Sequence, residues 1–147
     1  MTAQTLLGSR RPIVALPFSA YNVADADGTL YAENVIGTVG SNVEYPMPSS
    51  GSIVAFAVHD NAGLSTGTLT FHATVNSNSY NRQFPGTYNA LHVTQQTAYD
   101  KIPAERSRFT FTAGQRVGLV WTKSGTITPT TTDLSATLYV QLDDMDT

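Results

Sequence analysis

Leu134, Ala136, Leu138, Val140 and Leu142 alternate without a break with Ser135, Thr137, Tyr139 and Gln141. A period of two puts the apolar set on one face of a pleated strand and the polar set on the other; a helix would scatter both. The same period recurs upstream. Leu69, Phe71, Ala73 and Val75 alternate with Thr68, Thr70, His72 and Thr74, and Val117, Leu119 and Trp121 alternate with Arg116, Gly118, Val120 and Thr122. In residues 53–58, Val54, Phe56 and Val58 fall on one face and Ile53, Ala55 and Ala57 on the other. Both of those faces are apolar, which predicts a central, covered strand. Turn residues punctuate these runs every 8–12 positions, and no amphipathic helical stretch intervenes. The fold class that follows is all-β, an antiparallel β-sandwich or jelly roll.

The remaining segments organise around that core. Residues 1–12 are small and polar apart from Leu6 and Leu7 and end in Arg10-Arg11-Pro12, an extended N-terminal arm ahead of one domain spanning 13–147. Ile13–Phe18 reads as a strand placed at an edge, because Pro17 has no N–H to give a ladder. Asp25-Ala26-Asp27-Gly28 reads as an Asx-type turn. Residues 34–47 alternate loosely through Val35, Val39, Val43 and Tyr45 and stop at the Pro46-Met47-Pro48 corner. Tyr88–Thr94 is assigned as a strand and Thr94–Lys101 as a loop or short helical turn. Lys123–Thr132 is read as a Thr- and Pro-rich loop, and the last residues form an acidic tip.

Composition narrows the function classes. Charged residues are only 13% of the chain, against ~25% in ordinary domains. Threonine, about one residue in seven, fills much of the gap. A surface this poor in charge has little defence against self-association, which points to a partner that covers it. The net charge of −3 offers no basic field to nucleic acid. With no cysteine, disulfides, thiolate chemistry and Cys-based zinc sites are excluded, and synthesis in a reducing cytoplasm is expected. The N-terminal residues resemble neither a secretory leader nor a membrane span, so no membrane partner is expected.

Chemistry-bearing patterns are sparse. His59, His72 and His92 are separated in sequence and lack an HxH or HExxH spacing, so no metal ligand set is assigned. The Asp25–Gly28 run resembles the start of a calcium loop but lacks the later oxygen ligands. Asp143, Asp144 and Asp146 read as a solvated tip and not as a glycosidic carboxylate pair. No nucleophile elbow, P-loop or dinucleotide fingerprint is present, and no cofactor or enzymatic activity is expected. Two features do suggest contacts. Arg10 and Arg11, with Leu6 and Leu7, form an arm able to dock on an acidic surface. Val120 and Tyr139 fall on the outward faces of their strands, where they suit a subunit interface.

The segments Pro48–Val58, Thr66–Asn76, Phe109–Thr122 and Asp133–Asp143 together resemble small jelly-roll proteins of tailed bacteriophages, whose fold is similar to the tumour-necrosis-factor-like sandwich. The resemblance covers roughly a third of the chain and consists of strand-and-turn patterns. It implies a homotrimer that decorates a phage head as a cement protein, bound to the major capsid protein on the capsid exterior and made in the host cytoplasm. The short chain and the free arm favour that role over the alternative it also implies, a receptor-binding or head-fibre tip that recognises a host surface glycan. Asn76–Gln83 and Lys123–Thr132, with Tyr80, Asn81 and Tyr88 nearby, would serve such a tip. Trp121, the one tryptophan, is assigned to the core and so is lost as a sugar platform. A cytokine-like ligand is disfavoured by the lack of a leader.

Overall fold

The computed structural model describes residues 11–32, 44–76, 82–102 and 109–143. Among the described residues eleven strands run in chain order: β1 (Ile13–Ala20), β2 (Gly28–Ala32), β3 (Tyr45–Pro46), β4 (Gly51–Asp60), β5 (Thr66–Val75), β6 (Arg82–Gln83), β7 (Ala90–Leu91), β8 (Thr97–Lys101), β9 (Thr110–Phe111), β10 (Arg116–Thr128) and β11 (Leu134–Leu142). All their pairings are antiparallel. One layer is ordered β1-β11-β4-β8, and the other is built on β10 and β5. β2 joins them at one side, pairing with β1 through Tyr31 and Ala32 and with β10 through Gly28, Thr29 and Leu30. At the other side the chain around residue 89 closes the gap: Tyr99 N–H donates to Tyr88 C=O at 2.9 Å and Phe71 N–H to Asn89 C=O at 3.0 Å. The result is a jelly-roll sandwich nearly closed into a barrel.

The alternation read from the sequence sets the core. Leu69, Phe71, Ala73 and Val75 of β5, Val117, Leu119 and Trp121 of β10, and all five apolar residues of β11 are buried. Phe56 packs against Phe71 and Phe84, and Phe84 against Phe109, with ring centroids 4.3–5.6 Å apart, the tilted arrangement aromatic rings favour. Gly28 is dictated by packing: a Cβ there would sit 2.1 Å from the Trp121 ring.

Several readings need correction. β4 is central, between β11 and β8, but its register slips opposite Tyr139 and Val140. This β-bulge re-phases the strand, so Ile53 joins Phe56 and Val58 in the core instead of lying with Ala55 and Ala57. Residues 97–101 form strand β8 on the β4 edge, not a loop or helical turn; Ala98 supplies the buried position that holds it there. Within the stretch assigned to 88–94, only Ala90–Leu91 is strand. The supposed loop from Lys123 is mostly a continuation of β10, which runs to Thr128 past an irregularity at Gly125. Ile127, wholly buried, and the Thr66 hydroxyl bonded to Thr126 C=O at 2.6 Å fasten it to β5. β1 lies between β11 and β2, although β2 covers only Phe18 and Ser19; Pro17 falls just outside that short ladder. Val35, Val39 and Val43 lie outside the described residues.

Candidate interaction surfaces

The outer face of the β1-β11-β4-β8 layer is built from the residues that alternate with the core. Cross-strand partners form rows: Tyr99, Ala57, Thr137 and Pro17 in one, Lys101, Ala55, Tyr139 and Ala15 in the next, and Thr97, His59, Ser135 and Ser19 in a third. Small side chains on β4 and β1 leave the face low, and Lys101 is the one permanently charged residue in these rows. Two shallow clefts open on it. One, of about 330 Å³, lies between Ile13, Val54, Ala55, Ile102, Tyr139 and Gln141 with Lys101 at its margin. The other, of about 400 Å³, is bounded by Pro17, Ala57, His59, Thr97, Ser135 and Thr137. Ile13 is 63% exposed at the edge of the first. The strand expected to be covered on both faces is therefore covered on one: Ala55 and Ala57 stay half-exposed.

An aromatic pair stands at the margin of this face. Tyr88 and Tyr99 stack with ring centroids 5.2 Å apart and planes 10° apart, and they are 57% and 49% exposed. Their support is rigid. Asp100 accepts from Gly86 N–H at 2.6 Å and from Lys101 N–H at 2.7 Å, while the buried Asn89 amide donates to Phe84 C=O. Sequence reading named Tyr88 but missed its partner, because residues 97–101 had not been recognised as a strand.

Tyr139 and Val120 both point outward and are half-buried, but on different layers. Tyr139 lies on the face just described. Val120, flanked by Thr29 and His72, is on the opposite outside surface. His72 Nε2 lies 2.9 Å from Thr122 Oγ1, and burial pushes its imidazole below its ordinary pKa, with Asp27 opposing the shift. His59 is exposed, and His92 Nδ1 sits 3.5 Å from Thr68 Oγ1. The three imidazoles thus stand on different strands or loops. Among the described residues no group of three or more acidic or histidine side chains could hold a metal ion.

The two ends of the sandwich differ. At one end the chain bends at Asp25 and Ala26, and the Asp25 and Asp27 carboxylates reach across to β10 instead of closing a local Asx turn. Asp25 accepts from Lys123 Nζ at 2.7 Å and Ile127 N–H at 2.9 Å, and Asp27 from Lys123 N–H at 2.7 Å. Also at this end, Asp60 is fully buried; its Oδ1 accepts from Ala62 N–H, Gly63 N–H and the Thr132 hydroxyl, while its Oδ2 has no hydrogen-bond partner among the described residues. At the other end, Arg11 faces Asp143 at 3.6 Å, both side chains about half exposed. An exposed pair of this kind contributes little and leaves the guanidinium available. Leu6, Leu7 and Arg10 lie outside the described residues.

No family model and no curated protein matches the chain. Among solved structures, it is similar to a chain of the cyanophage Pam1 capsid asymmetric unit, with TM-score 0.51 and 12% identity over 91% of this chain and 87% of that one. It also aligns with the Eiger TNF of S. frugiperda (TM-score 0.42, 14% identity, 93% and 97% covered) and with the empty head of turnip yellow mosaic virus (0.36, 12%, 93% and 86%). The Pam1 match shows a shared fold: this jelly roll is one also found in a phage capsid.

Proposed function

We propose that this chain is a virion structural protein that sits on the outside of a phage capsid as a homotrimer, holds the major capsid protein and stabilises the shell. The observation that carries the reading is the nearly uncharged outer face of the β1-β11-β4-β8 layer, small-residued and cleft, on a fold shared with a phage capsid chain. Left open, such a face exposes Ile13, Ala55, Ala57 and Tyr139 to water; packed around a threefold axis, it hides them. A threefold contact is heterologous, joining two different patches of each copy. Tyr139 and Val120 on opposite surfaces are compatible with such a ring, whereas a single self-complementary patch could not contain both. Stabilisation then follows from linkage. A trimer that binds only the assembled lattice lowers the lattice free energy, and three weak attachments act together through high effective concentration.

Heating complete particles alongside particles stripped of this protein, while counting adsorption to host cells, tests the reading. Stripped particles should rupture at a lower temperature and adsorb normally. Equal heat resistance with lost adsorption would overturn it in favour of a glycan-recognising tip. The exposed Tyr88–Tyr99 stack is the observation that favours that second reading, since sugars bind against aromatic faces.

A further inference from the structure

We propose that the second outer cleft, with the tyrosines at its two margins, binds a neutral oligosaccharide. The inference does not rest on the capsid role. The cleft lies toward the His59 end of the face, and a threefold contact centred on Tyr139 is compatible with its staying open. Every residue bounding it is among the described ones.

One margin is a pair of rings. Tyr99 N–H donates to Tyr88 C=O at 2.9 Å, so Tyr88 flanks β8 on the side away from β4. Stacking on Tyr88 occupies one face of the Tyr99 ring, and at 49% exposure the ring keeps the other for a ligand. The cross-strand partner of Tyr99 is Ala57, and its neighbour two positions back on the same face is Thr97; both bound the cleft. A ring thus rises at the rim beside a floor no higher than a methyl group. At the opposite margin Tyr31, 38% exposed, pairs with Ser19 and extends the row of Thr97, His59 and Ser135 onto β2. From β8 to β2 is four strand spacings, roughly 19 Å along the face. That length suits several linked sugars better than one.

The lining is polar and uncommitted. The hydroxyls of Thr97, Ser135 and Thr137 and the His59 imidazole border the cleft, and none has an intramolecular hydrogen-bond partner among the described residues. On the opposite layer the hydroxyls are taken up internally: Thr122 by His72 and Thr66 by Thr128. No carboxylate, ammonium or guanidinium bounds the cleft, so an ionic ligand finds no fixed counter-charge there. A pyranose matches what remains. Its C–H face packs on a tyrosine ring, whose face carries partial negative charge, and its hydroxyls exchange hydrogen bonds with Ser, Thr and His. Tyrosine offers that face with few rotatable bonds, so docking costs little side-chain entropy.

Titrating the isotopically labelled protein with cellotetraose, maltotetraose and N-acetylchitotetraose, followed by amide shifts in NMR, tests the site. At least one should bind saturably, with shifts confined to residues 57–59, 88, 97–99 and 135–137. Tyr99→Ala should weaken that binding about tenfold or more, whereas Tyr99→Phe, which keeps the ring, should stay within about twofold. Thr70→Ala, on the opposite layer, should bind like the parent. Circular dichroism melts confirm that each variant is folded. Unchanged binding by Tyr99→Ala, or shifts centred on another surface, overturns the site. No saturable binding by any of the three sugars overturns the saccharide assignment and leaves the capsid role standing.

Discussion

Leu138 and Thr137 are neighbours in β11 with opposite fates. Leu138 is wholly buried and Thr137 floors an outer cleft. Leu138→Ala should destabilise the domain by roughly 2–5 kcal/mol, while Thr137→Ala should move the urea midpoint far less in the dissociated chain. Comparable shifts would mean that β11 is paired in the other register. Asp60 is the residue that sequence reading passed over. Its single Oδ1 takes three donors, two from the β4–β5 turn and one from Thr132. Asp60→Ala removes the acceptor of three donors, of which the Thr132 hydroxyl is buried and the two turn N–H groups are open to water, and should cost about 1–3 kcal/mol, the cost of one buried unsatisfied group. A loss under 1 kcal/mol would show that the knot relaxes or admits water. Nothing in the sequence separates Asp60 from any other aspartate at a turn, because its value comes from Thr132, 72 positions away.

At the scale of elements, legibility followed the period. β5, β11 and the first half of β10 were readable because one of their faces is core and the other is not. The second half of β10 was missed because Gly125, Thr126 and Pro129 carry the local signature of a loop. The strand geometry of residues 125–128 is imposed from outside by Thr66 and Asp25, and Pro129 lies just beyond it. The bulge in β4 was invisible for a similar reason: Ile53, Val54 and Ala55 are all apolar, so no pattern marks the slip. Asp25 clasps this distal part of β10, and Lys123, followed by the Ile127 N–H, holds its carboxyl below the usual 3.8. A carboxyl depressed in the folded state adds stability above its unfolded pKa and loses it as pH falls through the folded value. Asp25→Asn should therefore melt below the parent at neutral pH, with the gap closing as pH falls below the ordinary carboxylate range and through the depressed folded value. A gap that does not change with pH would show that the clasp is not electrostatic.

For the whole molecule, sequence indicated a sandwich of low charge, but not which residues share an outer face. That required the pairing order, which puts Ala15, Ala55, Ala57 and Tyr139 on one face although they are spread over 125 residues of chain. Tyr139→Glu, which places a charge in the centre of that face, should leave the sandwich folded and convert the proposed trimer to monomer in light scattering. A Tyr139→Glu protein that stays trimeric would move the interface elsewhere. Val120→Glu in the same assay reports whether the opposite surface supplies the second patch.

Cryo-electron microscopy of intact particles tests the central claim most directly. Threefold density on the outer surface of the head, with three copies of the sandwich meeting through the β1-β11-β4-β8 face, is the result this account predicts. Density for the chain confined to a tail or fibre tip, or a head surface without it, would contradict the assignment.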